Sequence, residues 1–198
     1  MTQPQQPLTK YGRLQRELSL TTKEPYLLLS SKKPIHPRVG LSPPPGTFKI
    51  NVDGAASHDS SPSSIGITIR DSSGHVFSAM SKVLPGCYQA DTVEAIALEQ
   101  GILALEMNIT RAAFESDALT IMESLNAKKI GGPLGHILHG ILGLLSSFPS
   151  WTLRHLKMEH NKVAHDLAQL VRTSRTTQVW KGVTSPVLQY LLHQKEPS

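Results

Sequence analysis

Asp53 falls inside an apolar, strand-like run, "FKINVDGAA", residues 48–56. A buried carboxylate without a partner either shifts its pKa or acquires a cation, so the chemistry turns on which other residues could share one. Two acids are placed to do so. Glu94 lies in the first turn of a helical pattern over residues 90–107, and Asp117 ends the strand-like stretch "RAAFESD". Three hard oxygen donors with no cysteine beside them suit Mg²⁺ or Mn²⁺ and not zinc. Taken singly, Glu94 also reads as an ordinary first-turn helix acid, and Asp117 as a cap for a helix beginning at Ala118. The strand-interior position of Asp53 lifts the set above those readings.

The elements that must position these acids follow from periodicity. "TFKINVDG", "SSIGITIRD" and "HVFSAMSKV" read as strands joined by a loop, "ASHDSSPS", and a tight turn, "SSG"; together they make an antiparallel meander. Val93, Ile96, Ala97, Ile102, Leu103 and Leu105 recur at helical spacing, with Asp91 and Thr92 as start signals. "RAAFESD" reads as a fourth strand, "ALTIMESLN" and "LGHILHGILGLLSSF" as helices separated by the stop "AKKIGGP", "SWTLRHLKM" as a fifth strand and "NKVAHDLAQLVRTS" as a last helix. The order βββαβααβα predicts an α/β fold, a five-stranded mixed sheet with three antiparallel and then parallel strands, flanked by helices. If strand four lies parallel beside strand one, Asp53 and Asp117 emerge at the same end of neighbours about 5 Å apart.

Residues 1–45 are rich in Pro, Ser, Thr and Gln and end in "LSPPPG", which predicts a flexible extension. Residues 46–175 make the domain, and residues 176–198 a tail with a short helix around "SPVLQYLLHQ". The extension holds seven basic residues against two acidic ones, whereas the rest of the chain balances 13 against 13, so the whole net charge of +5 sits in it. Such a segment is either a solvated linker or an electrostatic hold on a polyanion. Cys87 is the only cysteine, which excludes an intramolecular disulfide framework and a cysteine zinc cluster and fits a reducing compartment. No apolar run is long enough to cross a bilayer, and the N-terminus lacks an apolar signal segment. A monomeric intracellular protein is expected, in cytoplasm or nucleus, with an organelle left open by the basic N-terminus.

The ordered set "KINVDGA", "VEAIALEQGILALEMNI", "AAFESDALTIMESLN" and "NKVAHDLAQL", over residues 46–172, resembles the type 1 ribonuclease H superfamily, and more closely the reverse-transcriptase-like RNase H domains common in plants. The resemblance implies an RNase H-like fold and an endonuclease that hydrolyses the RNA strand of an RNA/DNA hybrid. It implies two divalent ions, Mg²⁺ or Mn²⁺, one activating a water and the other steadying the leaving oxygen. Asp53 matches the residue that bridges both ions, and Glu94 and Asp117 match the next two carboxylates. Gly54 would let the backbone approach the sugar-phosphate chain, where the 2′-hydroxyl marks RNA. Asn161 and Lys162, at the start of the last helix, are further candidates for contact with nucleic acid.

The match breaks at the fourth carboxylate, which the resemblance places in a pattern N-x-x-x-D-x-L-A. "NKVAHDLA" puts His165 there and Asp166 one residue on, turned by about 100° on a helix, so a diminished fourth role falls to His165 or, with a local shift at the helix start, to Asp166 as a metal ligand. Imidazole is a poor ligand for Mg²⁺ and a better one for Mn²⁺. Weakened or Mn²⁺-biased catalysis is therefore expected, and an inactive RNase H-like nucleic-acid-binding module is the alternative. Asp166 also reads as an ordinary helix-surface partner for Lys162. Met158 stands where the family often has arginine, and His155 and His160 could give a proton to the leaving group from the loop before the helix.

Overall fold

The β-branched and aromatic runs of the sequence form strands, and the helical patterns cover them. A computed structural model describes residues 45–57, 61–105, 109–182 and 186–193, so nearly all of the expected extension over residues 1–45 lies outside the described residues. The strands are β1 (Phe48–Ala55), β2 (Ser64–Arg70), β3 (Val76–Val83), β4 (Arg111–Ser116), β5 (Ser150–His155) and β6 (Gln178–Lys181). The helices are α1 (Ala90–Leu103), α2 (Leu119–Asn126), α3 (Gly135–Leu145), α4 (Lys162–Ser174) and α5 (Pro186–His193), with a short 3₁₀ turn, Met158–His160, leading into α4.

The sheet runs in the order β5-β4-β1-β2-β3-β6. β1, β2 and β3 form the antiparallel meander, and β4 lies parallel to both β1 and β5. Where the sequence predicts five strands, the sheet has six: β6, from the stretch read as a tail, pairs antiparallel with the outer edge of β3. At four residues, with three only half buried and one exposed, β6 is too short and too weakly patterned for alternation to reveal it. The helix expected near the C-terminus is α5.

Alternation gives the sheet two unlike faces. On one, Ile50, Val52, Ile65, Ile67, Ile69 and Phe114 pack against α1, and α2 and α3 extend that core with Met122, Leu125, Leu138, Ile141 and Leu145. Caught between the sheet and α3, α1 is buried on more than one side, which is why Ala95 and Leu98 join Val93 and Ile102 in the core. It starts at Ala90 behind Gln89 with no side-chain cap, so Asp91 sits inside the first turn instead of capping it. No described helix is long and apolar enough to cross a membrane.

The other face is polar yet buried: Lys49, Asn51 and Asp53 from β1, Ser64, Thr68 and Arg70 from β2, and Glu115 from β4. Buried polar groups need partners, and α4 supplies several by lying close to the strands. The Ser64 hydroxyl donates to the Ala168 carbonyl at 2.7 Å and the Ser81 hydroxyl to the Leu167 carbonyl at 2.7 Å. Gly66 makes the approach feasible, because a Cβ there would fall 2.0 Å from the Ala164 oxygen and 2.5 Å from the Ala168 nitrogen. Gly66→Ala is therefore expected to destabilise the domain by about 3 kcal/mol, read as a lower urea midpoint at constant m-value. An unchanged midpoint would mean that α4 can lift off β2 freely.

Candidate active site

The parallel register of β1 and β4 sets Asn51 opposite Glu115. Two residues further on, Asp53 and Asp117 therefore leave together at the carboxyl ends of adjacent strands. Glu94 comes to the same point from the first turn of α1, and Gly54 is what lets that turn seat. A Cβ at Gly54 would lie 2.8 Å from Val93 Cγ1 and 2.9 Å from the Glu94 nitrogen. The Gly54 N–H in turn hydrogen-bonds the Glu94 carboxylate. One oxygen from each of Asp53, Glu94 and Asp117 lies within 4.8 Å of the other two.

Three carboxyl groups so close, with little water to separate them, cannot all ionise unaided. Asp53 is only 2% exposed, and burial, reinforced by Glu94 and Asp117, raises its pKa to about 9. Glu94 is pushed up to about 8, by burial first and then by Asp117, against the opposing hydrogen bond from Gly54. Asp53 Oδ2 and Glu94 Oε2 are both buried without a hydrogen-bond partner. Clustered carboxylates with buried, unpartnered oxygens are what a hard divalent cation would satisfy, so the donor set fits Mg²⁺ or Mn²⁺. Asp117 does not cap α2, which begins at Leu119 with no side-chain cap bond.

At the fourth position α4 brings His165, and not Asp166, to the carboxylates. His165 Nδ1 lies 3.2 Å from Asp53 Oδ2, within ion-pairing distance but without the alignment of a hydrogen bond. Asp166 is turned to Lys162, whose Nζ reaches its two oxygens at 2.8 and 3.1 Å. Asn161 lies behind the carboxylates, 1% exposed, with its Nδ2 donating to the Val52 carbonyl at 2.8 Å and to Asp117 Oδ1 at 3.1 Å. Met158, His155 and His160 are exposed around this end of the sheet.

The sequence profile described as reverse transcriptase-like matches residues 51–171. The chain belongs to the reverse transcriptase-like family. Among solved structures, RNase H1 from Halobacterium salinarum is 18% identical, with a TM-score of 0.60 over 65% of this chain and 98% of that one. The N-terminal RNase H domain of a Mycobacterium tuberculosis protein is 18% identical, with a TM-score of 0.57 over 66% of this chain and 99% of that one. LC11-RNase H1, from compost and solved in complex with an RNA/DNA hybrid, is 19% identical, with a TM-score of 0.55 over 65% of this chain and 99% of that one. At these identities the likeness shows the RNase H-like fold. No curated protein matches the chain by sequence.

In this reverse transcriptase-like domain the carboxylates rest on polar residues that sequence reasoning passed over: Lys49, Asn51, Arg70 and Glu115. Lys49 Nζ pairs with Glu115 Oε2 at 3.1 Å, both side chains being buried. The signal for them was present in "FKINVDG", where residues 49, 51 and 53 are polar at alternate positions of a strand. Read as one face instead of one odd aspartate, that alternation predicts a buried polar layer.

Proposed function

We propose that the domain is an RNase H-type endonuclease that hydrolyses the RNA strand of RNA/DNA hybrids, with two divalent cations held by Asp53, Glu94 and Asp117. The observation that carries this reading is the convergence of three carboxylates, two of them with a buried, unpartnered oxygen. The bound ions would supply Lewis acidity, lowering the pKa of an attacking water and stabilising the leaving oxygen. The chain's own residues do the rest. Asp53, the most deeply buried of the three, would hold the ions together with Glu94 and Asp117. His165 takes the fourth position, where its imidazole favours Mn²⁺ over Mg²⁺. Asp166 acts indirectly by holding Lys162, and Lys162 and the backbone at Gly54 meet the nucleic-acid chain. His155 and His160, exposed ahead of α4, would give a proton to the leaving group.

The test is incubation of the purified protein with an RNA/DNA hybrid, each strand end-labelled in turn, in Mg²⁺ and separately in Mn²⁺, with Asp53→Asn in parallel. Cleavage of the RNA strand alone, faster in Mn²⁺ and lost in the variant, is expected. One observation favours a second reading. His165 beside Asp53 leaves the site an acid short of the pattern it resembles, as in a module that binds hybrid without turnover. Hybrid retained in EDTA and uncut in either metal would select that reading.

A further inference from the structure

Asn51 and Asn161 are 2% and 1% exposed, and their hydrogen bonds have a direction. The two ends of an amide differ in what they can bond to, so donor-only and acceptor-only neighbours fix which way each one points. Arg70 has only donors, and its Nη2 donates to Asn51 Oδ1. Asn51 Nδ2 is thereby turned the other way, donating to Glu115 Oε2 at 3.1 Å and to Asn161 Oδ1 at 3.3 Å. The second amide is set by this bond, and independently by the Val52 carbonyl, an acceptor that takes Asn161 Nδ2 at 2.8 Å. The remaining donor capacity of Asn161 Nδ2 reaches Asp117 Oδ1 at 3.1 Å. Polarity thus runs one way, from Arg70 through Asn51 and Asn161 to Asp117.

Two further facts indicate that this arrangement serves the site. Asn161 occupies the N-cap of α4, where an asparagine oxygen ordinarily accepts from a first-turn N–H and stabilises the helix. It makes no such bond, and its side chain is turned into the sheet instead. Asp117 lies one residue past the end of β4, with no cap bond to α2, so neither ladder nor helix holds its carboxylate. We propose that Arg70, Asn51 and Asn161 form a polarised relay that orients the Asp117 carboxylate for cation binding, Asn51 and Asn161 being positioning residues. This inference rests on the cation-binding reading of the cluster. The relay engages Oδ1 of a carboxylate that is grouped with those of Asp53 and Glu94.

Outer partners of metal ligands typically change affinity by about 10- to 100-fold. The experiment is calorimetric titration of the full chain with MnCl₂, for wild type, Asn51→Ala, Asn161→Ala and the double variant, with thermal melts in EDTA alongside. Asn161→Ala is expected to weaken Mn²⁺ binding by about 10- to 100-fold. Asn51 acts through Asn161, so the double variant should bind no more weakly than Asn161→Ala, while the losses of melting temperature accumulate. Variants that bind Mn²⁺ as wild type does, or whose affinities fall additively in step with stability, would overturn the relay. Should the variants not fold, wild-type protein decides: on Mg²⁺ titration the side-chain NH₂ resonances of Asn161 and Asn51 should shift together with the Asp117 amide, and resonances that stay still while Mg²⁺ binds would overturn it. Wild type that takes up neither ion refutes the cation reading itself, a result distinct from binding that ignores the asparagines.

Discussion

Asp53→Asn is expected to have two opposite effects: RNA cleavage falls by about 10³-fold or more, while the metal-free protein becomes more stable at alkaline pH. The first follows because losing several kcal/mol of charge stabilisation at the reacting phosphate corresponds to a rate loss of about that size. The second follows from linkage. Asp53 and Glu94 have folded-state pKa values of about 9 and about 8, against ordinary values of 3.8 and 4.5. Between those limits the folded chain holds protons that the unfolded chain has released, so stability falls as pH rises. Their contribution is fully present below the ordinary carboxylate range and is lost as pH climbs through about 8 and about 9. In EDTA, the melting temperature of wild type should drop by about 5 °C or more between mildly acidic and alkaline buffer. Mn²⁺ should restore it at the alkaline end, because binding to the folded state alone stabilises that state. Asp53→Asn should flatten the pH dependence and abolish the rescue. A wild-type melting temperature indifferent to pH in EDTA, or a variant less stable than wild type in alkaline EDTA, would show that burial and mutual repulsion do not raise these carboxyl groups.

His165→Asp is expected to move the site in the reverse direction. With Nδ1 of the imidazole 3.2 Å from Asp53 Oδ2, a carboxylate at this position joins the existing three. Mg²⁺ affinity should rise by about tenfold, equivalent to about 1.4 kcal/mol, and Mg²⁺-supported cleavage should approach the rate in Mn²⁺. The same substitution adds a like charge to a crowded site, so stability in alkaline EDTA should fall. His165→Ala, which removes the imidazole without adding an acid, should show neither gain. Equal Mg²⁺ affinity in His165→Asp and His165→Ala would mean that the fourth position does not reach the ion.

The carboxylate cluster was legible because two of its members are fixed by strand direction. Once β4 is parallel to β1, residues at matching offsets from the register must emerge side by side, and Asp53 and Asp117 are such a pair. Glu94 was legible for a related reason, since a first-turn residue of the helix covering those strands has few other places to go. What stayed hidden depends on partners far apart in sequence. Asn161 pairs with residues 109 and 110 positions away, and nothing local distinguishes it from an ordinary N-cap or a surface contact. β6 was missed because a four-residue edge strand is decided by the strand it joins and not by its own pattern. For His165 and Asp166, adjacent on one helix, the sequence pattern put His165 at the fourth position, but the choice between them needed the rotation of α4, which no periodicity in "NKVAHDLA" sets to within one residue.

That rotation is itself fastened. α4 is held by its own main chain: the Ala168 and Leu167 carbonyls are clasped by serine hydroxyls from two strands, and the Ala164 carbonyl rests against the bare backbone of Gly66. A helix held in this way works like a key with its bit already in the lock. Screwing it by the angle needed to swing Asp166 into place would break both clasps and drive a side chain into the space that only glycine leaves open. Turning the helix is therefore a costly way to bring the neighbouring acid to the site. On the proposed two-ion reading the side chain at position 165 would set the metal preference, and histidine and aspartate codons differ by a single base.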